Sequence, residues 1–108
     1  MAHYRASVEE AEAFAAELLR QHGASSASAA SVARALVEAQ LQGKPNVGLA
    51  HLPAYLDSLK EGRTDGQGEP VLETPAPAVL RVDARQNFPQ LAFDLAFDAF
   101  VSAAQNCG

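Results

Sequence analysis

The sequence predicts an α+β to α/β chain: two helices form a hairpin, a third helix follows, and one strand leads into a last helix that packs on most of its sides. Three features carry this. Two runs repeat apolar residues at helical spacing and stop at Gly23 and Gly43; Ala78 to Ala84 alternates with the period of a strand; and the stretch after Phe88 is apolar over almost its whole circumference.

Ser7-Val8-Glu9-Glu10 spells a capping box, in which the Ser7 hydroxyl accepts from the Glu10 amide while the Glu10 carboxylate reaches back. A helix opens there. Val8, Ala11, Phe14, Ala15, Leu18 and Leu19 mark its buried face until Gly23, which tolerates the left-handed backbone that ends a helix. Ser25 or Ser26 caps the second helix, whose buried stripe runs Ala29, Val32, Ala33, Leu36, Val37 and Ala39 or Gln40 before Gly43. The connection is a few residues long, so the two helices are antiparallel neighbours.

Gly43-Lys44-Pro45-Asn46 breaks the pattern, because the residue before a proline leaves the helical region and Asn caps the next helix. A third helical stretch, from about Val47 to Lys60, carries Leu49, Leu52, Leu56 and Leu59 on one side. Pro53 inside it predicts either a kink or a break that leaves the proline in the first turn of a second piece. Glu61 to Pro77 holds Gly62, Gly66, Gly68, Pro70, Pro75 and Pro77, a loop composition in which only Val71-Leu72 has strand character. The strand at Ala78 to Ala84 needs a partner. The last helix, Phe88 to Asn106, has Pro89 in its first turn. Gln90, Asp94, Asp98 and Gln105 form its narrow polar stripe, and Asp94 with Asp98 reads as a solvated face. Leu91, Phe93, Leu95, Phe97, Phe100 and Val101 fill the rest, and two short helices and a strand are too little to cover them. The expected cover is chain beyond Gly108 or a second chain. The organisation is thus a helical N-terminal domain over 1–62, a loop or linker over 63–77, and the start of an α/β domain over 78–108.

Composition narrows the function. Of 108 residues 23 are Ala, aromatics are 6% and Trp is absent, so the core is thin. Eight Lys and Arg stand against thirteen Asp and Glu, a net charge of -5, with the cations scattered singly. A phosphate backbone or an anionic membrane needs them clustered, so neither is an expected partner. One cysteine, Cys107, forms no internal disulfide and suits a reducing cytoplasm. No signal peptide or membrane span is legible. His3 falls near the terminus, and His22 beside Gly23 suits a helix C-terminus.

The segment Asn46-Val47-Gly48-Leu49-Ala50-His51-Leu52-Pro53-Ala54-Tyr55-Leu56 is richer. It resembles the N-terminal region of the type 2 malate/L-lactate dehydrogenase family, NAD(P)-dependent reductases of 2-oxo acids and cyclic imino acids with a non-Rossmann fold. The likeness continues through Val37-Glu38-Ala39-Gln40-Leu41-Gln42-Gly43, Leu59-Lys60-Glu61-Gly62-Arg63, Pro70-Val71 and Val82-Asp83-Ala84. The resemblance implies that the strand and last helix belong to a larger dehydrogenase fold and begin its nucleotide-binding domain. It also implies a cytoplasmic homodimer acting on a small-molecule substrate, with NAD or NADP bound mainly by residues beyond Gly108 and none of the cofactor-binding residues in this segment.

The departures bear on chemistry. Where the family carries Ser-His-Gly this chain has Asn46-Val47-Gly48, and where the family carries a carboxylate-holding Arg four residues after that His it has His51; of the family's His, Arg and pocket-lining Tyr, only Tyr55 is retained. Val47 transfers no proton. Either His51 is the substitute acid/base or carboxylate contact, or a group beyond this segment moves the proton, or the protein has no such activity; Asn46, Tyr55 and Lys44 are the substrate-binding candidates. An imidazole lacks the guanidinium fork, so the substrate should depart from ordinary malate or lactate. Residues 47, 51 and 55 share a helical face. Three other readings stand beside this one: His51 packed among Leu49 and Leu52 with a backbone partner, a catalytically silent homologue, and a freestanding helical interaction module.

Overall fold

A computed structural model describes residues 7–44, 48–76 and 79–107. Helix α1 spans Val8–Gln21 and α2 Ser26–Leu41; a 3-10 turn at Leu49–His51 runs into α3, Leu52–Lys60; β1 (Val71–Ala76) and β2 (Val79–Asp83) come next, and α4 spans Pro89–Cys107. The local signals act as expected. Ser7 Oγ accepts from the Glu10 amide at 3.1 Å and Ser25 Oγ from the Ser28 amide at 3.1 Å, so Ser25 is the second cap. Gly23 (φ 105°) and Gly43 (φ 77°) lie in the left-handed region just past the two helices. Pro53 breaks the third stretch: it sits in the first turn of α3, where its missing N–H has no helical partner to lose.

Ala15, Ala16 and Leu19 of α1 meet Ala29, Val32, Ala33 and Leu36 of α2 in a core that also takes in Ala24, Leu52 and Phe88. Leu49, Tyr55, Leu56 and Leu59 are half-buried against it. The structure corrects the predicted face of α1. Phe14 is 67% exposed and Val8 is exposed as well, because α1 has α2 and α3 on one side only and the buried arc is as narrow as those neighbours.

The 63–77 segment is not all loop, since β1 occupies its end and pairs antiparallel with β2: Val71 faces Asp83, Leu72 faces Val82 and Glu73 faces Arg81. The register shifts between Glu73 and Ala76, where Pro75 has no N–H to give the ladder. Three prolines in eight residues hid this strand from pattern reading, but an edge strand tolerates them.

Helix α4 lies against α2 and the hairpin. Leu91 and Ala92 are buried, whereas Phe93, Leu95, Phe97, Phe100 and Val101 are exposed. Its polar stripe does not face solvent as a row of like charges: Asp94 pairs with Arg34 of α2, and Gln90 points toward α3. The side chain of Asp98 lies outside the described residues. The radius of gyration is 15.8 Å, against about 13 Å for a compact domain of this length, and the principal extents are 56 × 32 × 21 Å. Among the described residues no helix is long and apolar enough to cross a membrane.

Candidate active site

His51 is carried by the last residue of the 3-10 turn, and α2 sets the position of that turn. The Gln40 side-chain oxygen accepts from the Leu49 amide at 3.2 Å, and a Cβ at Gly48 would lie 2.8 Å from that oxygen and 3.0 Å from the Gln40 backbone nitrogen. Glycine at 48 is thus a packing requirement. The His51 amide closes the turn on the Gly48 carbonyl at 2.9 Å.

One turn of α3 further on, Tyr55 meets His51 edge to face, ring centroids 4.9 Å apart at 84°. The other flank of Tyr55 meets Phe88, centroids 4.8 Å apart at 62°. The shared face expected for residues 51 and 55 is therefore formed across the proline. His51 is exposed in this chain, its ring set against Tyr55 rather than enclosed by Leu49 and Leu52. Tyr55 is half-buried, and its hydroxyl accepts from Gln90 Nε2 at 3.0 Å. Gln90 was legible in the sequence only as part of a polar stripe. Thirty-five positions separate it from Tyr55, and no local pattern links them.

The start of α4 is pinned by Asn87. Its amide nitrogen donates to the Gly68 carbonyl at 2.9 Å and the Gly66 carbonyl at 3.3 Å, and its oxygen accepts from Ser28 Oγ at 3.0 Å and the Phe88 amide at 2.8 Å. The turn before it, Ala84 to Asn87, holds Arg85 and Gln86 at φ 55° and 65°, as a type I′ turn does. Phe88 and Gln90 are thereby held against Tyr55. The Gln90 amide oxygen is buried and, among the described residues, has no hydrogen-bond partner.

The other candidates are placed less closely. Lys44 is exposed just past α2, its amide donating to the Ala39 carbonyl at 3.0 Å. Asn46 and Val47 lie outside the described residues. His22 caps its helix, its Nδ1 2.8 Å from the Leu18 carbonyl. No group of three metal-ligating side chains comes together among the described residues.

Two open grooves could be considered for a nucleotide. One of about 340 Å³ is walled by Leu80, Val82, Phe93, Ala96, Phe97 and Phe100 and offers a pyrophosphate no donor. The other, of about 320 Å³, is lined by Ser31, Arg34, Glu38, Gln90 and Asp94 among others, with Arg34 already paired with Asp94 and two carboxylates facing any phosphate. These residues do not fit a dinucleotide.

The family model described as malate/L-lactate dehydrogenase matches residues 6–108. A Delta(1)-pyrroline-2-carboxylate/Delta(1)-piperideine-2-carboxylate reductase of Pseudomonas aeruginosa is 33% identical over 104 residues, 96% of this chain and 31% of that protein. A (2R)-3-sulfolactate dehydrogenase (NADP(+)) of Chromohalobacter salexigens is 36% identical over 88 residues, 80% of this chain and 26% of that protein. In three dimensions the chain superposes on delta1-piperideine-2-carboxylate reductase from Pseudomonas syringae pvar. tomato with a TM-score of 0.93 at 30% identity, covering 98% of this chain and 32% of that one. The chain thus spans about a third of the length of the relatives it matches.

Proposed function

The chain belongs to the malate/L-lactate dehydrogenase family, and from that premise we propose that the whole protein is an NAD(P)-dependent oxidoreductase reducing a cyclic imino acid or related 2-oxo acid. His51 and Tyr55 form part of the substrate's side of the site. The observation that supports this most is the exposed His51 imidazole held edge to face on Tyr55. Relatives named for pyrroline- and piperideine-carboxylate reduction, and one named for a hydroxy acid and NADP(+), point to the substrate class and the cofactor type.

A nicotinamide cofactor, which residues outside this chain would hold, would supply hydride chemistry when bound. This chain's residues act on the other partner: a His51 imidazolium gives its proton to the imine nitrogen or carbonyl oxygen as the carbon is reduced, or it contacts the substrate carboxylate, while Tyr55 lines the pocket beside it. A histidine is suited to proton transfer near neutrality. With an imidazole where the family's guanidinium stands, the carboxylate is held without a bidentate fork, a difference of about 1–3 kcal/mol, which favours substrates other than malate or lactate. The protein is a homodimer in this reading, and the domain division at 1–62, 63–77 and 78–108 belongs to the same proposal.

Turnover of the whole protein on a panel of cyclic imines and 2-oxo acids, with NADH and with NADPH, tests this against His51→Ala. Loss of turnover in a variant that still folds is the expected result. Unchanged turnover would remove His51 from the chemistry, and no hydride transfer by the parent on any member of the panel would leave the catalytically silent homologue.

A further inference from the structure

A tyrosine hydroxyl has one proton to give and lone pairs to receive with. At Tyr55 the receiving side is taken by Gln90 Nε2 at 3.0 Å. The oxygen of that same amide makes no bond to the hydroxyl and has no partner among the described residues, so the hydroxyl proton is not directed at Gln90. Among the described residues no acceptor takes it. The ring itself has little freedom, wedged between His51 at 4.9 Å and Phe88 at 4.8 Å, and Gln90 is fixed in turn by the Asn87 bonds at the start of α4.

We infer that Gln90 is a positioning residue that sets Tyr55 as a hydrogen-bond donor to the substrate carboxylate. The Gln90 N–H occupies the inner face of the phenolic oxygen, and the hydroxyl proton is left for an anionic acceptor on the ligand side, where an O–H···O⁻ bond is charge-assisted. Part of the carboxylate-holding task that an imidazole performs poorly thereby passes to the tyrosine. This inference rests on the reading of His51 and Tyr55 as the substrate's side of the site.

The test uses the whole protein with Gln90→Glu, Gln90→Met, Tyr55→Phe and the double variant Tyr55→Phe with Gln90→Met. A carboxylate at position 90 accepts the hydroxyl proton and turns it inward; methionine removes the donor with little change of volume. Each single variant should raise KM for Δ1-pyrroline-2-carboxylate about tenfold while kcat stays within about threefold, and the double variant should bind no worse than Tyr55→Phe alone. The melting temperature of Gln90→Met should equal or exceed the parent's, the reverse of what a structural role requires. Unchanged KM in both Gln90 variants, or multiplicative effects in the double variant, would overturn the inference. A second readout needs no turnover: the Cζ resonance of Tyr55, assigned by its loss in Tyr55→Phe, is titrated with the same imino acid. A midpoint about tenfold higher in Gln90→Glu supports the inference, and equal midpoints overturn it. A parent that binds without hydride transfer overturns the proposed reaction alone, and a parent that neither binds nor turns over overturns both.

Discussion

Where α1 meets α2 the side chains are small, Ala15, Ala16, Ala29, Val32 and Ala33 with only Leu19 and Leu36 of full size, and solvent is excluded from all of them. On α4 the side chains are large, yet Phe93 is 65% and Phe100 61% exposed. Residue size therefore does not decide what is buried in this molecule; the presence of a facing element does. Small residues let two helices approach closely enough to seal the seam, whereas Phe93, Phe97 and Phe100 of α4 line an open groove with Leu80 and Val82 of the two-stranded hairpin. Most of the hydrophobic stabilisation those rings can supply, on the order of 25 cal/mol per Å², is not realised within this chain.

The sharpest break of that contrast is a matched pair of truncations. Leu36→Ala should cost about 2–5 kcal/mol in urea unfolding of the 108-residue chain, the range for a buried leucine leaving a cavity. Phe97→Ala, though it removes more atoms, should change the same quantity by under about 0.5 kcal/mol, as exposed positions do. Comparable losses in the two variants would mean that α4 is covered in solution by something the chain itself provides.

Asn87 joins the two regions, and its removal should have an intermediate effect. Asn87→Ala leaves Ser28 Oγ and the carbonyls of Gly66 and Gly68 without their partner, at about 1–3 kcal/mol. Faster amide exchange at the Asp65 to Gly68 turn, with α1 and α2 unchanged, would show that the asparagine couples the halves. Uniform loosening would place it in the core of the first.

The smallest effect tests the surface of the well-packed half. The hydrogen bond from Arg20, and then its charge, hold the Glu17 carboxyl below its ordinary value. A carboxyl depressed in the folded state contributes stability that is present above its unfolded value and lost as pH falls through the folded one. Both side chains are exposed, so the stability change should be close to undetectable. The site-specific shift is the measurement: in Arg20→Ala the Glu17 carboxyl resonance should titrate at higher pH than in the parent, and coincident curves would dissolve the pair.

Local order was readable along the chain. Ser7 and Ser25 place two helix starts, Gly23 and Gly43 two stops, and Pro53 the break before α3, because each acts through backbone groups only a few residues away. The His51–Tyr55 pair was readable for the same reason, a spacing of four along one helical stretch. The linear pattern did not contain which surfaces find a partner. Val71–Ala76 is a strand because β2 lies beside it, and Phe14 stands in solvent because nothing lies over it. Asp94 meets Arg34 across sixty positions and Gln90 meets Tyr55 across thirty-five. Such pairings depend on how helices and hairpin are packed against one another, and packing free energy is shared among distant residues that no short window of sequence brings together.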